Sequence, residues 1–235
     1  MKFPFYFFIL QLLVFCAWGN SDPGHKRQNI ALEIKPTFRG NDLHLQTTFY
    51  KTANGDTVSI SRFRFYISAI KIAFENGATY QEQNSYHLID AEDPLSLIIP
   101  LTDVPDEKVA TITFHVGIDS TESVSGAMGG ALDPVKGMYW AWNSGYINAK
   151  LEGVCKSKQK NHPFEFHVGG YLHPYYALRT VSIPVNRTNN KISIEADAAE
   201  WLLNMDLHKE NSIVIPGREA MLMADKYVKM FRVIN

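Results

Sequence analysis

Cysteine is scarce in this chain: Cys16 lies inside the N-terminal leader and Cys155 stands alone in everything that follows. An intramolecular disulfide is therefore excluded once the leader is removed, and stability has to come from a packed core. After the leader no apolar run approaches the ~20 residues that a membrane-crossing helix needs. An excess of one charge sign is missing too, since 23 Lys and Arg stand against 24 Asp and Glu. Losing Lys2 with the leader leaves the balance slightly acidic, which gives no reason to expect nucleic acid or an anionic membrane surface as partner. The eight histidines show no HxH or HxxxH spacing, Ser144-Gly145 lacks a Gly-x-Ser-x-Gly context, and Cys155 has no base in a recognisable local signature. Hydrolytic chemistry thus finds no support, and a non-enzymatic role is expected. No Pro-, Ser- or Gly-rich linker divides the chain, so residues 20–235 read as a single domain.

What is present begins with export. Lys2, an apolar stretch from Phe3 to Phe15, and the small residues around Ala17-Trp18-Gly19 form a secretory signal peptide over residues 1–19. Cys16, with Leu13 three residues before it, admits a lipoprotein reading. Phe15 opposes it, because a small residue is expected directly before a lipidated cysteine.

From Ile30 onward the apolar spacing is mostly two, which marks strands. Leu43, Leu45, Thr47 and Phe49 fall on one face, and Val58, Ile60, Phe63, Phe65 and Ile67 continue the pattern. Asn54-Gly55-Asp56 between them is a hairpin turn. Further strands are expected at Tyr66–Phe74, Ser85–Ile89, Val109–Val116, Gly145–Leu151, Phe164–Val168, Leu178–Pro184 and Lys191–Ala196. Many short strands with turn signals between them predict an all-β fold, a single β-sandwich of immunoglobulin-like or related type. Short C-terminal helices complete it: Asp197 caps a run with Glu200 three positions later, and Ala220, Met223, Tyr227 and Met230 share a helical stripe. The segment from Gly117 to Gly137 reads as a loop.

That loop leads into Gly137-Met138-Tyr139-Trp140-Ala141-Trp142-Asn143-Ser144-Gly145-Tyr146, where two of the four tryptophans sit two residues apart. On either side stand near-copies of one strand, Phe114-His115-Val116-Gly117 and Phe166-His167-Val168-Gly169. In each strand the histidine faces away from the apolar residues and can ligate a metal through its neutral imidazole. Large aromatics are more often core than site. The flanking glycines, however, put Met138, Tyr139, Trp140, Trp142 and Tyr146 beside a loop, where they can form an aromatic rim. Asp90, Glu92 and Asp93 make an acidic turn without the ligand spacing of a calcium loop.

These runs, with Leu132-Asp133-Pro134, Leu151-Glu152-Gly153 and Gly170 added, resemble the MbnP family of exported, copper-associated bacterial proteins. The likeness extends to Phe65-Tyr66-Ile67-Ser68, Tyr86-His87-Leu88-Ile89-Asp90 and Ala224-Asp225-Lys226-Tyr227. The resemblance implies a β-rich protein of the periplasm or cell envelope that binds copper, as Cu(I) if soft donors and imidazole hold it. In some members a di-haem partner resembling a peroxidase first oxidises a tryptophan to kynurenine, whose amine joins histidines on the metal. Carried over, Trp140 or Trp142 is the modified residue and His167 a ligand. His115 is the choice for second histidine because its strand repeats that of His167, with His44 and His173 as alternatives. One branch of the family carries four cysteines, and this chain belongs elsewhere. The rival reading is a structural or ligand-binding sandwich that stacks a glycan on Tyr139, Trp140, Trp142 and Tyr146.

Overall fold

The computed structural model describes residues 26–142, 145–157, 160–187 and 190–234. Residues 1–25, with the expected leader and Cys16, and Asn143 and Ser144 of the aromatic run lie outside the described residues. Strands dominate the rest. They are β1 (Arg27–Phe38), β2 (Asn41–Asp42), β3 (Tyr50–Lys51), β4 (Thr57–Phe74), β5 (Thr79–Gln81), β6 (Tyr86–Asp90), β7 (Ile98–Pro105) and β8 (Val109–Val116). Then come β9 (Tyr139–Trp140), β10 (Gly145–Lys156), β11 (His162–Gly169), β12 (Arg179–Arg187), β13 (Lys191–Asp197), β14 (Ser212–Ile213) and β15 (Phe231–Ile234). Three short helices accompany them, α1 (Ser120–Ser125), α2 (Ala198–Trp201) and α3 (Arg218–Tyr227).

The fold is an all-β sandwich. One sheet is organised on β1, which pairs in parallel with β13 and antiparallel with β2 and β7, and β15 extends it beyond β13. The larger sheet is organised on β4, whose eighteen residues join two stretches that the spacing predicts separately. Alternation decides which side chains turn inward. Leu32, Ile34 and Ile194 from the first sheet thereby share one core with Phe65, Phe114 and Phe166 from the second.

The pairings of β4 contain the feature that positions the site. On one edge β6 pairs residues 64–68, so the other edge is taken by β10 up to Phe65 and by β8 from Ile67. Thus β8 and β10 are two halves of one interrupted strand line. On the next line out, β11 pairs β10 and β12 pairs β8 in the same way. At these two breaks the chain leaves the sheet, first from Gly117 to Gly145 and then from Gly170 to Leu178, and the breaks lie side by side.

Local chemistry explains where expectation and structure differ. Leu43 to Phe49 is not a strand, because Gln46 takes a φ of 60° and its N–H bonds the Ile60 carbonyl at 2.7 Å, while the His44 N–H donates to Tyr50 Oη at 2.7 Å. The Asn54-Gly55-Asp56 hairpin is present, with Gly55 at a φ of 90°. Helix α1 goes unpredicted although Asp119 and Glu122 repeat the spacing of Asp197 and Glu200; Asp119 Oδ1 accepts from the N–H groups of Thr121 and Glu122. At the C-terminus, α2 and α3 close the core with Trp201, which packs against Phe63 and Tyr227 at ring-centroid distances of 6.5 and 5.5 Å.

The indole Nε1 of Trp201 is buried and has no hydrogen-bond partner among the described residues. Its contribution is therefore packing alone. Trp201→Ala should cost ~3–5 kcal/mol in urea unfolding, while Trp201→Phe, which removes the unpaired donor and keeps a ring, should cost less than half as much.

Candidate metal-binding site at the paired strand breaks

Side chains of β4 and β10 that point away from the main core are largely polar, and several of them hold the backbone of the segment between Gly117 and Gly145. Ser68 Oγ donates to the Gly117 carbonyl at 2.6 Å and Tyr66 Oη to that of Ala131 at 3.2 Å. Arg64 reaches the Lys136 carbonyl at 3.1 Å, and Lys150 Nζ the Gly137 carbonyl at 2.5 Å. Lys150 is only 6% exposed. Burial holds its pKa below the ordinary lysine value, with Arg62 and Arg64 adding to the effect and Glu152 opposing it. Beneath the fastened segment lies a second, smaller core that includes Tyr66, Leu132, Met138, Trp140 and Tyr146.

This packing sorts the aromatic run. Pairing of β9 with β10 sets Trp140 opposite Gly145 and Tyr139 opposite Tyr146. Trp140 is 6% exposed and Trp142 65%, with ring centroids 5.9 Å apart and planes at 48°. Trp140 lies over Gly169: a β-carbon there would come within 2.8 Å of Cζ3 of the indole and would collide with the Tyr146 carbonyl oxygen. Met138 and Tyr146 are core residues and do not form a rim. Tyr139 stacks edge-on against Tyr146 at 5.0 Å. Of these rings Trp142 alone projects, so the run does not present several coplanar exposed rings for a glycan.

His167 lies on the same outer face, two residues before Gly169 and opposite Lys150. Its Nε2 is 2.8 Å from Glu152 Oε1, and the other Glu152 oxygen is 3.6 Å from Arg62 Nε. The hydrogen bond from His167 is the first cause of a lowered Glu152 pKa; burial opposes it and Arg62 supports it. Glu152, the group that fixes this imidazole, is visible only once the β10–β11 register is known.

His115 does not join His167. It pairs with Ser68 of β4, whereas Lys150 aligns His167 with Arg64, so four residues or ~13 Å of strand separate their levels. The bond to Glu152 draws the His167 ring further from His115. Burial lowers the His115 pKa, with Asp119 opposing. His44 lies in the exposed turn before β3. His173 lies in the second excursion, which the Ala177 N–H closes onto the Gly170 carbonyl at 2.9 Å, with its ring 6.3 Å from that of Tyr176. The acidic turn is used structurally: Arg64 takes Asp90 and Glu92 at 2.8 and 3.0 Å, and Asp93 caps the next turn.

A sequence model of the MbnP family matches residues 27–216. The chain belongs to the MbnP family. Among solved structures it is similar to MbnP from Methylosinus trichosporium, with a TM-score of 0.54 and 13% identity over 77% of this chain and 79% of that one. At that identity the likeness to the Methylosinus MbnP is one of fold. No curated protein matches the sequence. The MbnP match includes both excursions, β10 and β11, and stops before α3.

Two measurements test this geometry in the MbnP-family chain. Gly169→Ala should displace Trp140 and Tyr146, lowering stability by ~1–3 kcal/mol and changing the near-ultraviolet circular dichroism. For His115 the sign follows from its lowered pKa: as pH falls below the ordinary imidazole value the unfolded chain takes up the proton first, so stability drops until the folded-state pKa is passed. His115→Gln should flatten that part of the profile of urea midpoints against pH.

Proposed function

We propose that this MbnP-family protein is exported to the periplasm or cell envelope and holds copper as cargo, without catalysis, where Trp142 meets the strand end that carries His167. The observation that carries this reading is the exposure of Trp142 in an aromatic run whose other rings, Tyr139, Trp140 and Tyr146, are packed in or against the small core. An indole presented in this way is open to a di-haem, peroxidase-like partner, and its conversion to kynurenine adds an aromatic amine to the donors. Trp140, packed over Gly169 and buried in the small core, is the wall behind it.

The residues fit a metal ligand set in one specific respect. A metal-bound histidine commonly donates its second ring N–H to a carboxylate, which fixes tautomer and orientation. His167 has that arrangement with Glu152, leaving Nδ1 as its ligand atom. For a second imidazole the strand order favours His173 over His115, because the loop of His173 leaves the sheet one residue beyond Gly169. Cu(I) suits such a set, being stable at low coordination by imidazole and other nitrogen or soft donors.

Copper stoichiometry on protein purified from its native envelope tests the proposal. His167→Ala should lose the bound Cu(I), and His173→Ala should weaken it at least tenfold; a wild-type protein that is metal-free and ignores added Cu(I) would sink the reading. Mass spectrometry of the peptide spanning residues 137–150 should show the tryptophan-to-kynurenine change, and Trp142→Phe should abolish it. Persistence of the change in that variant would move the modification to Trp140.

A further inference from the structure

At the other end of the large sheet, four side chains that the sequence scatters come together. Cys155 pairs with Val58 of β4, eight residues or ~26 Å along that strand from the breaks near Tyr66. The Cys155 thiol, the Asp56 carboxylate and the His208 imidazole offer ligand atoms that all lie within 4.8 Å of one another. Asp56 Oδ1 is 3.6 Å from His208 Nε2. His162 opens β11 directly opposite Cys155, so the two side chains share a face. Its ring stands edge-on to that of His208 with centroids 5.2 Å apart.

The surrounding structure fixes this meeting. Asp56 ends the β3–β4 hairpin, and Asn54 of the same turn donates to the Met205 carbonyl at 2.8 Å. That bond ties the hairpin to the segment carrying His208, whose own N–H donates to Asp206 Oδ1 at 3.1 Å. Cys155 is buried, and burial first, then the Asp56 and Asp206 carboxylates, push its thiol pKa up. A protonated, enclosed thiol is a poor nucleophile. A dication reverses that local field, and the thiol proton then leaves to solvent as the sulfur becomes a ligand.

We infer that Cys155, His208, Asp56 and His162 form a metal site for a borderline divalent ion of the zinc class. One thiolate, two imidazoles and one carboxylate are the donor types that zinc takes in tetrahedral coordination. Ligand atoms around such an ion lie ~3.3–3.8 Å apart, so those of Cys155, Asp56 and His208 have to close up by about 1 Å, and His162, outside that group of three, has to rotate its ring toward them. Cys155 and His162 are fixed on paired strands, while Asp56 and the exposed His208 belong to turns and supply that movement. The inference is independent of the copper reading, because it uses different residues in a different part of the sheet.

Cobalt(II) is the probe, since thiolate ligation gives it a charge-transfer absorption. Titration of the reduced, leader-free chain should produce that absorption at a single equivalent, and zinc(II) should displace it. Cys155→Ser should abolish it. His208→Asn and Asp56→Asn, both at turn positions, should weaken binding by about tenfold or more, as should His162→Asn. His167→Ala and Trp142→Phe should leave it unchanged. Absence of thiolate absorption in the wild type, or its full retention in His208→Asn and Asp56→Asn, would overturn the site whatever the outcome with copper.

Discussion

An ammonium group taken out of water is costly unless hydrogen bonds replace its hydration, and Lys150 meets that demand with the carbonyl of Gly137. Directly opposite it on β4, Arg64 binds the preceding carbonyl, that of Lys136. Two cations side by side on one sheet face repel each other. Asp90 and Glu92 compensate Arg64, and Glu152 lies beside Lys150, so charge is balanced where water is excluded. From this fastening the rest of the outer face follows. Gly137 turns in the left-handed region, with a φ of 69°, immediately before Met138 enters the small core. Trp140 is carried onto Gly169, and Trp142 is left outside.

Much of the scaffold is legible in the sequence because burial on one face imposes period two. Phe63, Phe65 and Ile67 announce an inward face that the structure confirms. Asn54-Gly55-Asp56 announces its hairpin, and Asp197 its helix cap. Legibility fails where side chains bond backbone out of register. Leu43 to Phe49 alternates correctly for a strand, yet the turn at Gln46 and the Tyr50 hydroxyl take its hydrogen bonds elsewhere. Nothing in the order of residues reveals that β8 and β10 share an edge, since that depends on where β6 ends along β4.

The same hidden geometry governs the two Phe-His-Val-Gly runs. Both end at a break, which accounts for glycine in the fourth place: at Gly117 φ is 114° and a β-carbon would collide with Asn148 Cγ. Yet β8 descends toward the break from the Phe74 end of β4, while β11 ascends toward it from the Val58 end. Equivalent sequence therefore puts His115 and His167 on opposite sides of the break. Local similarity gives two histidines the same facing and the same exit glycine, and strand direction keeps them apart. Glu152 is hidden in the sequence for a related reason, because its partnership with His167 is diagonal across a hairpin.

Breaks in a sheet are a direct way to build a site. A continuous strand satisfies its own backbone groups with its neighbours and offers only side chains. Where two adjacent lines stop and restart at one level, two loops emerge together, each anchored at both ends in rigid structure. Here one loop carries the tryptophans and the other carries His173, with His167 on the strand that ends between them. The small core under the first loop removes Met138, Trp140 and Tyr146 from solvent and is built without Trp142, which meets it through the ring of Trp140. That independence matters chemically. The projecting ring is the one member of the run that can be altered, or covered by a partner, without unfastening the loop that presents it.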